Sequence, residues 1–147
     1  MIEIKSFDEK CKPTFEEKRE IVDFLYTHLE QFGDKREDIE KAVNYAIKEG
    51  ESFGGFVLRS FEEGELSSVV VVNKTGMNGY IPENILVYIA THNKFRGRGI
   101  GRCMMEQALI RAEGGVALHV EPDNPARRLY ENLGFTNKYL EMRYTKQ

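Results

Sequence analysis

The stretch KFRGRGIGR, residues 94–102, joins two segments of different character. Before it lies the apolar run ILVYIAT, residues 85–91, which is typical of a strand buried on both faces. After it, the sequence GIGRCMMEQALIRAEGG, residues 99–115, is typical of a helix that ends at a pair of glycines. The stretch therefore predicts a connection that passes from a strand directly into the first turn of a helix.

Such a connection favours the binding of a phosphate group. The N–H groups of a first helical turn have no partner within the helix, and the helix dipole attracts anions there. Glycines leave room for the anion and permit a positive φ, while arginines add charge-assisted hydrogen bonds. The predicted phosphate-binding residues are Arg96, Gly97, Arg98, Gly99, Ile100, Gly101 and Arg102.

The spacing of these residues excludes two common phosphate motifs. The dinucleotide-binding pattern needs a glycine three residues after Gly99, where Arg102 stands, and a P-loop needs Gly-Lys followed by Ser or Thr. The alternative to a phosphate site is a tight strand–helix connection whose arginines are simply solvated.

Composition restricts the class of protein. A chain of 147 residues with 41% hydrophobic and 31% charged residues suits one globular domain, residues 1–147. Its net charge of −3 argues against a general nucleic-acid binder. No apolar run approaches the roughly 20 residues that span a bilayer, and the first residues do not resemble a signal peptide. Because Cys11 and Cys103 form no ligand pattern, we expect no metal and a reduced, cytoplasmic protein.

The periodicity of the chain predicts an α/β (α+β) domain in the order βααβββαβαβ. The residues between the third strand and ILVYIAT form a loop by composition. Asn124 and Pro125 are typical of the start of the last helix. The predicted strands are 2–7, 54–61, 65–72, 85–91, 116–120 and 138–145, and the predicted helices lie in 13–33, 35–50, 99–115 and from 124 onward.

Two motifs in the second half of the chain resemble one known family. RGRGIG matches the Arg/Gln-x-x-Gly-x-Gly pattern of the GCN5-related N-acetyltransferases (GNAT), and NPARRLYENLGF, residues 124–135, matches their second signature. The resemblance covers roughly residues 85–135, while the first half agrees only in element order. Thr91 and Asn93 depart from it, because the family more often has Val and Pro at these positions.

The resemblance implies the GNAT fold, which is a mixed, mostly antiparallel sheet flanked by helices, with one splayed pair of parallel strands. It implies that acetyl-CoA binds in the splay, with its pantetheine arm along the backbone of Ile89 and Thr91 and its pyrophosphate on RGRGIG. A backbone N–H there would polarise the thioester carbonyl. The implied activity is N-acetyltransfer from acetyl-CoA to a primary amine, by direct attack in a ternary complex.

The second signature supplies two candidate site residues. Tyr130 has the position of the tyrosine that protonates the departing CoA thiolate in the family, although a tyrosine packed in the core is the alternative. Asn124 is expected to cap its helix, and the resemblance adds a hydrogen bond to the pantetheine arm.

The general base is less constrained by the sequence. Glu83, just before ILVYIAT, and Glu121, at the end of the next predicted strand, are the candidate carboxylates, and deprotonation through water is the alternative. His119 on a strand is typical of a satisfied core residue. Cys103 is expected to pack rather than to carry the acyl group.

Acidic side chains on the first two helices would favour a cationic amine near the cleft, but ordinary solvated helix surface explains them better. Tyr80, Tyr88 and Phe95 are candidates for the pocket lining, with Phe95 equally suited to the core. The acidic residues are Glu16, Glu17, Glu20, Glu30, Asp34, Glu37, Asp38 and Glu40.

Three further readings concern function and partners. A protein of this fold that binds acetyl-CoA without transferring the acetyl group, as a sensor or interaction module, is the alternative to an enzyme. RNA binding through the arginines conflicts with the acidic total and with the lack of aromatic stacking residues beside them. The last predicted strand, KYLEMRYT, offers an edge that a homodimer could share.

Overall fold

The computed structural model describes residues 2–147, and within them five strands form one sheet in the order β1-β2-β3-β4-β5. Neighbours are antiparallel from β1 to β4, and β5 is parallel to β4. The strands are β1 Glu3–Phe7, β2 Gly55–Glu62, β3 Glu65–Lys74, β4 Asn84–Thr91 and β5 Val116–Leu118. The helices are α1 Phe15–His28, α2 Arg36–Ala46, α3 Ile100–Arg111 and α4 Ala126–Asn132, with 3-10 turns at Glu30–Phe32 and Asn93–Phe95.

The first helix begins at a capping box and ends earlier than its apolar spacing predicts. The Thr14 side chain accepts from the Glu17 N–H, and the Glu17 carboxylate accepts from the Thr14 N–H. The predicted helix over residues 13–33 stops at His28, because Glu30 takes a φ of 56° that no α-helix continues. The chain therefore makes a separate turn before α2 begins.

The hairpin between β2 and β3 has the predicted position. Its two central residues, Glu63 and Gly64, have φ values of 51° and 81°, which is the geometry of a tight turn suited to twisted strands. Glu62 pairs with Glu65 across it. The hairpin prediction is confirmed.

Helices cover both faces of the sheet, which explains why its central strands are apolar at nearly every position. Helices α1 and α2 pack on one face, and α3 and α4 pack on the other. The first face presents Val57, Val69, Val71, Tyr88 and Ala90, and the second presents Phe56, Leu58, Val70, Val72 and Leu86.

The prediction of a last strand over residues 138–145 is wrong. Residues 136–147 form no strand or helix, and the side chains of Tyr139, Leu140, Met142 and Tyr144 are exposed. Alternating apolar residues give a segment the propensity for a strand, but a strand also needs a neighbour for its backbone groups. In this structure the segment after α4 does not pair with β5, which itself ends at Leu118 rather than at residue 120. The edge expected for a homodimer is therefore not formed as a strand.

Among residues 2–147, none of the helices has the length and apolar character that a bilayer crossing requires.

Candidate active site

A gap opens between β4 and β5 halfway along β4. The two strands pair only from Asn84–Val116 to Leu86–Leu118, whereas β4 continues to Thr91. A bulge lies at the same point, because Val71 and Val72 of β3 pair with Tyr88 and Leu86, which leaves one extra residue in β4. This geometry agrees with the splay that the family resemblance implies.

The backbone of Ile89 and Thr91 faces the gap. The N–H of His92 bonds to the carbonyl of Ser67 on β3 at 2.9 Å. In an antiparallel pair the polar backbone groups alternate in direction from one residue to the next. The backbone groups of His92 and Ala90 therefore point to β3. Those of Thr91 and Ile89 point away from β3, toward the gap. An extended ligand in the gap would meet them as an added strand.

The glycine loop lies at the open end of this gap and starts α3. Gly97 and Gly99 have φ values of 80° and 78°, so both take the left-handed conformation, and a Cβ on either would meet nothing within 4 Å. Cys103 N–H bonds to the Gly99 carbonyl, which leaves the N–H groups of the preceding helical residues directed out of the helix end. These are the features that an anion needs. Gly101, in contrast, is helical, and a Cβ there would make ordinary contacts with Leu129 and Thr91.

The three arginines of the loop have different surroundings. Arg98 lies over the ring of Phe95 at 5.3 Å. Arg102 is 3.8 Å from Glu106 in the next turn, and the side chains of Arg102 and Glu106 are each about half exposed. Arg96 is turned toward the end of α1, where it donates hydrogen bonds to the carbonyls of His28 and Thr91 and to Glu30. Of the three, Arg96 is therefore the one whose bonds to neighbouring segments stabilise the loop.

Tyr130 lies in the apolar cluster beneath the gap. Its side chain is 7% exposed, its ring packs 6.0 Å from that of Phe135, and the same cluster includes Ile89 of β4 and Leu118 of β5. Burial raises the pKa of Tyr130 to about 12. Its hydroxyl therefore stays protonated at neutral pH and can donate a proton or a hydrogen bond.

Asn124 caps the helix that carries Tyr130. Its Oδ1 accepts from the Ala126 N–H at 2.9 Å, and its carbonyl accepts from the Arg127 N–H. The predicted capping role is confirmed, and the Nδ2 group remains for a contact with a ligand.

Glu83 and Glu121, the candidate bases, lie at opposite ends of the short β4–β5 pairing. Glu83 precedes β4, and its carboxylate accepts from the N–H groups of Gly115 at 2.7 Å and Gly79 at 3.1 Å. Glu121 is exposed in the turn after β5, where its carbonyl accepts from the Asn124 N–H. The two backbone N–H groups that Glu83 accepts come from different loops, so its carboxylate ties these loops together, which argues for a structural role.

The hydrogen bonds to Glu83 give the first testable prediction. The Gly115 N–H, together with further backbone N–H groups, lowers the pKa of Glu83 below 4.5. A carboxyl group with a lowered folded-state pKa adds stability above its unfolded value and loses it as the pH falls through the folded one. We expect Glu83→Gln to lower the melting temperature more at neutral pH than near pH 3.

Thermal unfolding followed by circular dichroism at both pH values measures this difference. Glu113→Gln, which removes the same charge from the loop before β5, is the control and should show no such difference. An equal effect of Glu83→Gln at both pH values would contradict the structural role.

Sequence reasoning missed the contacts between the site and the turn that joins α1 to α2. Arg96 reaches Glu30 at 3.1 Å, and the Tyr88 hydroxyl reaches Asp34 at 2.5 Å. The second pair is separated by 54 positions, so no local pattern could reveal it. Of the other proposed pocket residues, Phe95 is buried in the core and Tyr80 is exposed.

Solved structures share this fold over nearly the whole chain. A transcriptional regulator from Bacillus halodurans C-125 has 17% identity and a TM-score of 0.71, over 99% of this chain and 100% of its own. A ribosomal-protein-alanine N-acetyltransferase from Brucella melitensis biovar Abortus 2308 has 16% identity and a TM-score of 0.64, over 99% and 100%. An aminoglycoside antibiotic 6′-N-acetyltransferase from Acinetobacter haemolyticus has 13% identity and a TM-score of 0.68, over 99% and 98%. At these identities the likeness shows the fold alone.

The sequence itself shows the family. No curated protein matches the chain. Residues 46–137, however, match the sequence model of the family described as the acetyltransferase (GNAT) domain, and this range is more than half of the 147 residues. It includes the β4–β5 gap, the glycine loop and the helix of Tyr130. The chain therefore belongs to the GNAT acetyltransferase family.

Proposed function

We propose that the protein transfers an acetyl group from acetyl-CoA to a primary amine by direct attack in a ternary complex. The observation that carries this proposal is the gap between β4 and β5, which leads from the glycine loop at its open end to the β4–β5 pairing at its closed end and lies over the apolar cluster that holds Tyr130. A ligand in this gap would need an anionic end, an extended amide-containing arm and a reactive tip, and acetyl-CoA has all three.

The open end of the gap suits the pyrophosphate. The loop places two glycines around the start of α3, and no atom lies within 4 Å of where their Cβ would be. The exposed side chains of Arg98 and Arg102 lie in the same loop and first turn. The helix dipole and the free N–H groups add attraction for an anion. The pantetheine amides would then pair with the backbone of Ile89, with the N–H of Thr91, whose carbonyl accepts from Arg96, and with the Nδ2 group of Asn124.

The closed end of the gap suits acyl transfer. When the amine attacks the thioester carbonyl, the C–N bond forms, the carbonyl oxygen becomes an oxyanion and the C–S bond then breaks. A backbone N–H of β4 stabilises the oxyanion. Tyr130 donates its proton to the departing sulfur, and the nitrogen loses a proton to restore the balance. Glu121, exposed beside the gap, or a water molecule would accept that proton.

Titration calorimetry with acetyl-CoA, followed by measurement of thiol release with a panel of amines, tests the proposal. We expect binding of acetyl-CoA and release of CoA thiol with at least one amine. Absence of binding would overturn the proposal. Binding without turnover on any amine would favour the alternative, a CoA-binding sensor or interaction module.

A further inference from the structure

The turn between α1 and α2, residues 29–35, is attached to β4 and the loop after it at two points. At one end Arg96 bonds to the His28 carbonyl and to Glu30, each at 3.1 Å. At the other end the hydroxyl of Tyr88 donates to Oδ2 of Asp34 at 2.5 Å. The turn therefore runs along β4 from the glycine loop back to the bulge, on the face of the sheet that α1 and α2 cover.

Tyr88 lies at the point where the gap begins. It follows the bulge in β4 and is two residues beyond Leu86, the last residue that pairs with β5. Its side chain is 7% exposed and packs under α1 and α2, whereas Asp34 is exposed. A buried phenol, from the β4 residue at the closed end of the gap, thus holds an exposed carboxylate on the α1/α2 side of the sheet.

Asp34 differs from the neighbouring carboxylates in its partner. Asp23 is paired with Arg36, Glu30 with Arg96 and Asp38 with Lys41, so each of these negative charges has a cation beside it. Asp34 is instead held by a neutral hydroxyl. Burial, followed by the bond to Asp34, raises the pKa of Tyr88, so this hydroxyl remains a neutral donor. A carboxylate has about four lone-pair sites, and the phenol occupies one of them, which leaves capacity for a cationic ligand.

We propose that Asp34, oriented by Tyr88, receives the ammonium group of the acceptor and takes its first proton. This inference rests on the proposed acetyltransfer. Near neutral pH only about one alkylamine molecule in 10³ is uncharged, so a transferase for such amines needs a group that binds the cation and deprotonates it. The proton passes from the ammonium nitrogen to the Asp34 carboxylate and then to solvent. The neutral amine attacks the thioester and loses its second proton to Glu121 or water, while Tyr130 protonates the departing sulfur and regains a proton from solvent.

Two acceptors of nearly equal size test this role. Methylamine is almost entirely protonated near neutral pH, whereas hydroxylamine is uncharged there and needs neither cation binding nor prior deprotonation. Thiol release from acetyl-CoA is measured with each acceptor for the wild type and for Asp34→Asn, which keeps an acceptor oxygen for Tyr88 but removes the charge. We expect kcat/KM for methylamine to fall about 10²-fold and that for hydroxylamine to change less than about threefold.

Two further variants sharpen the test. Tyr88→Phe leaves the charge of Asp34 but removes its support, so we expect the same selective loss at a smaller size, about 3- to 10-fold. Glu49→Gln removes one charge from the exposed segment after α2 and should leave kcat/KM unchanged for both acceptors. Melting temperatures and the Kd for acetyl-CoA, measured for all variants, show whether each remains folded and able to bind its cosubstrate.

The outcomes separate this inference from the proposed function. Wild-type transfer to both amines, with Asp34→Asn unchanged or equally reduced on both, would overturn the role of Asp34 and leave acetyltransfer standing. A wild type that binds acetyl-CoA but acetylates neither amine would remove this role for Asp34 together with the proposed transfer to small amines. A selective loss on methylamine supports the inference.

Discussion

Gly99→Glu is expected to abolish measurable binding of acetyl-CoA, with a rise in Kd of about 10²-fold or more. The Cα of Gly99 faces open space at the start of α3, where the proposed pyrophosphate site lies. A glutamate side chain there would occupy that space and place a negative charge against the phosphates. The carboxylate would also interact with the positive N-terminus of α3 itself, and this would weaken the attraction of the helix dipole for the phosphates. Titration calorimetry measures the loss.

Backbone strain must be separated from the loss of the site. Gly99 has a φ of 78°, and a residue with a Cβ in this conformation costs about 1–2 kcal/mol of folding stability. Gly64→Glu is the matched control, since Gly64 has a φ of 81°, has no atom within 4 Å of its Cβ position, and lies in the β2–β3 hairpin. It should show a comparable loss of stability with unchanged acetyl-CoA affinity. Unchanged affinity in folded Gly99→Glu would remove the phosphate site from the loop.

The parts of the fold that sequence reasoning predicted well are those determined by local pattern. The run ILVYIAT predicted β4 to within one residue, because a strand with helices on both faces needs apolar side chains throughout. The glycines indicated a loop that permits positive φ, and Gly97 and Gly99 take that conformation, whereas Gly101 is helical. Asn124 as a cap follows from the same kind of local chemistry.

The parts that could not be predicted depend on pairing between distant segments. Residues 138–145 have the alternation of a strand, yet no neighbouring strand pairs with them in this structure. Arg96 was expected at the phosphates because of its position in the motif, but the turn after α1 offers it a carboxylate and a carbonyl. The Tyr88–Asp34 bond likewise exists only because the sheet brings residues 54 positions apart together. Charge and periodicity along the chain do not indicate these contacts between distant residues.

Tyr130→Phe is expected to lower kcat for acetyl transfer by about 10²-fold while leaving the Kd for acetyl-CoA unchanged. The hydroxyl is the group proposed to protonate the thiolate, whereas the ring provides the packing against Phe135 and the apolar cluster, and the substitution keeps the ring. Because burial raises the pKa of Tyr130 to about 12, the wild-type acid should stay protonated throughout the neutral and mildly alkaline range. The wild-type kcat should therefore show no alkaline decline from this group below about pH 11. Steady-state kinetics over pH, with calorimetry for the Kd, measure both quantities.

The comparison with another tyrosine shows whether the loss is specific. The Tyr45 hydroxyl donates to the Lys74 carbonyl at 2.6 Å, at the start of the loop that precedes β4, so Tyr45→Phe removes a hydroxyl that has a structural partner. This variant should lose about 1 kcal/mol of stability with little change in kcat, whereas Tyr130→Phe should keep its stability and lose turnover. A Tyr130→Phe protein with wild-type kcat would exclude the phenol from the chemistry. It would mean that solvent protonates the thiolate, and the burial of Tyr130 would then serve only to close the end of the gap.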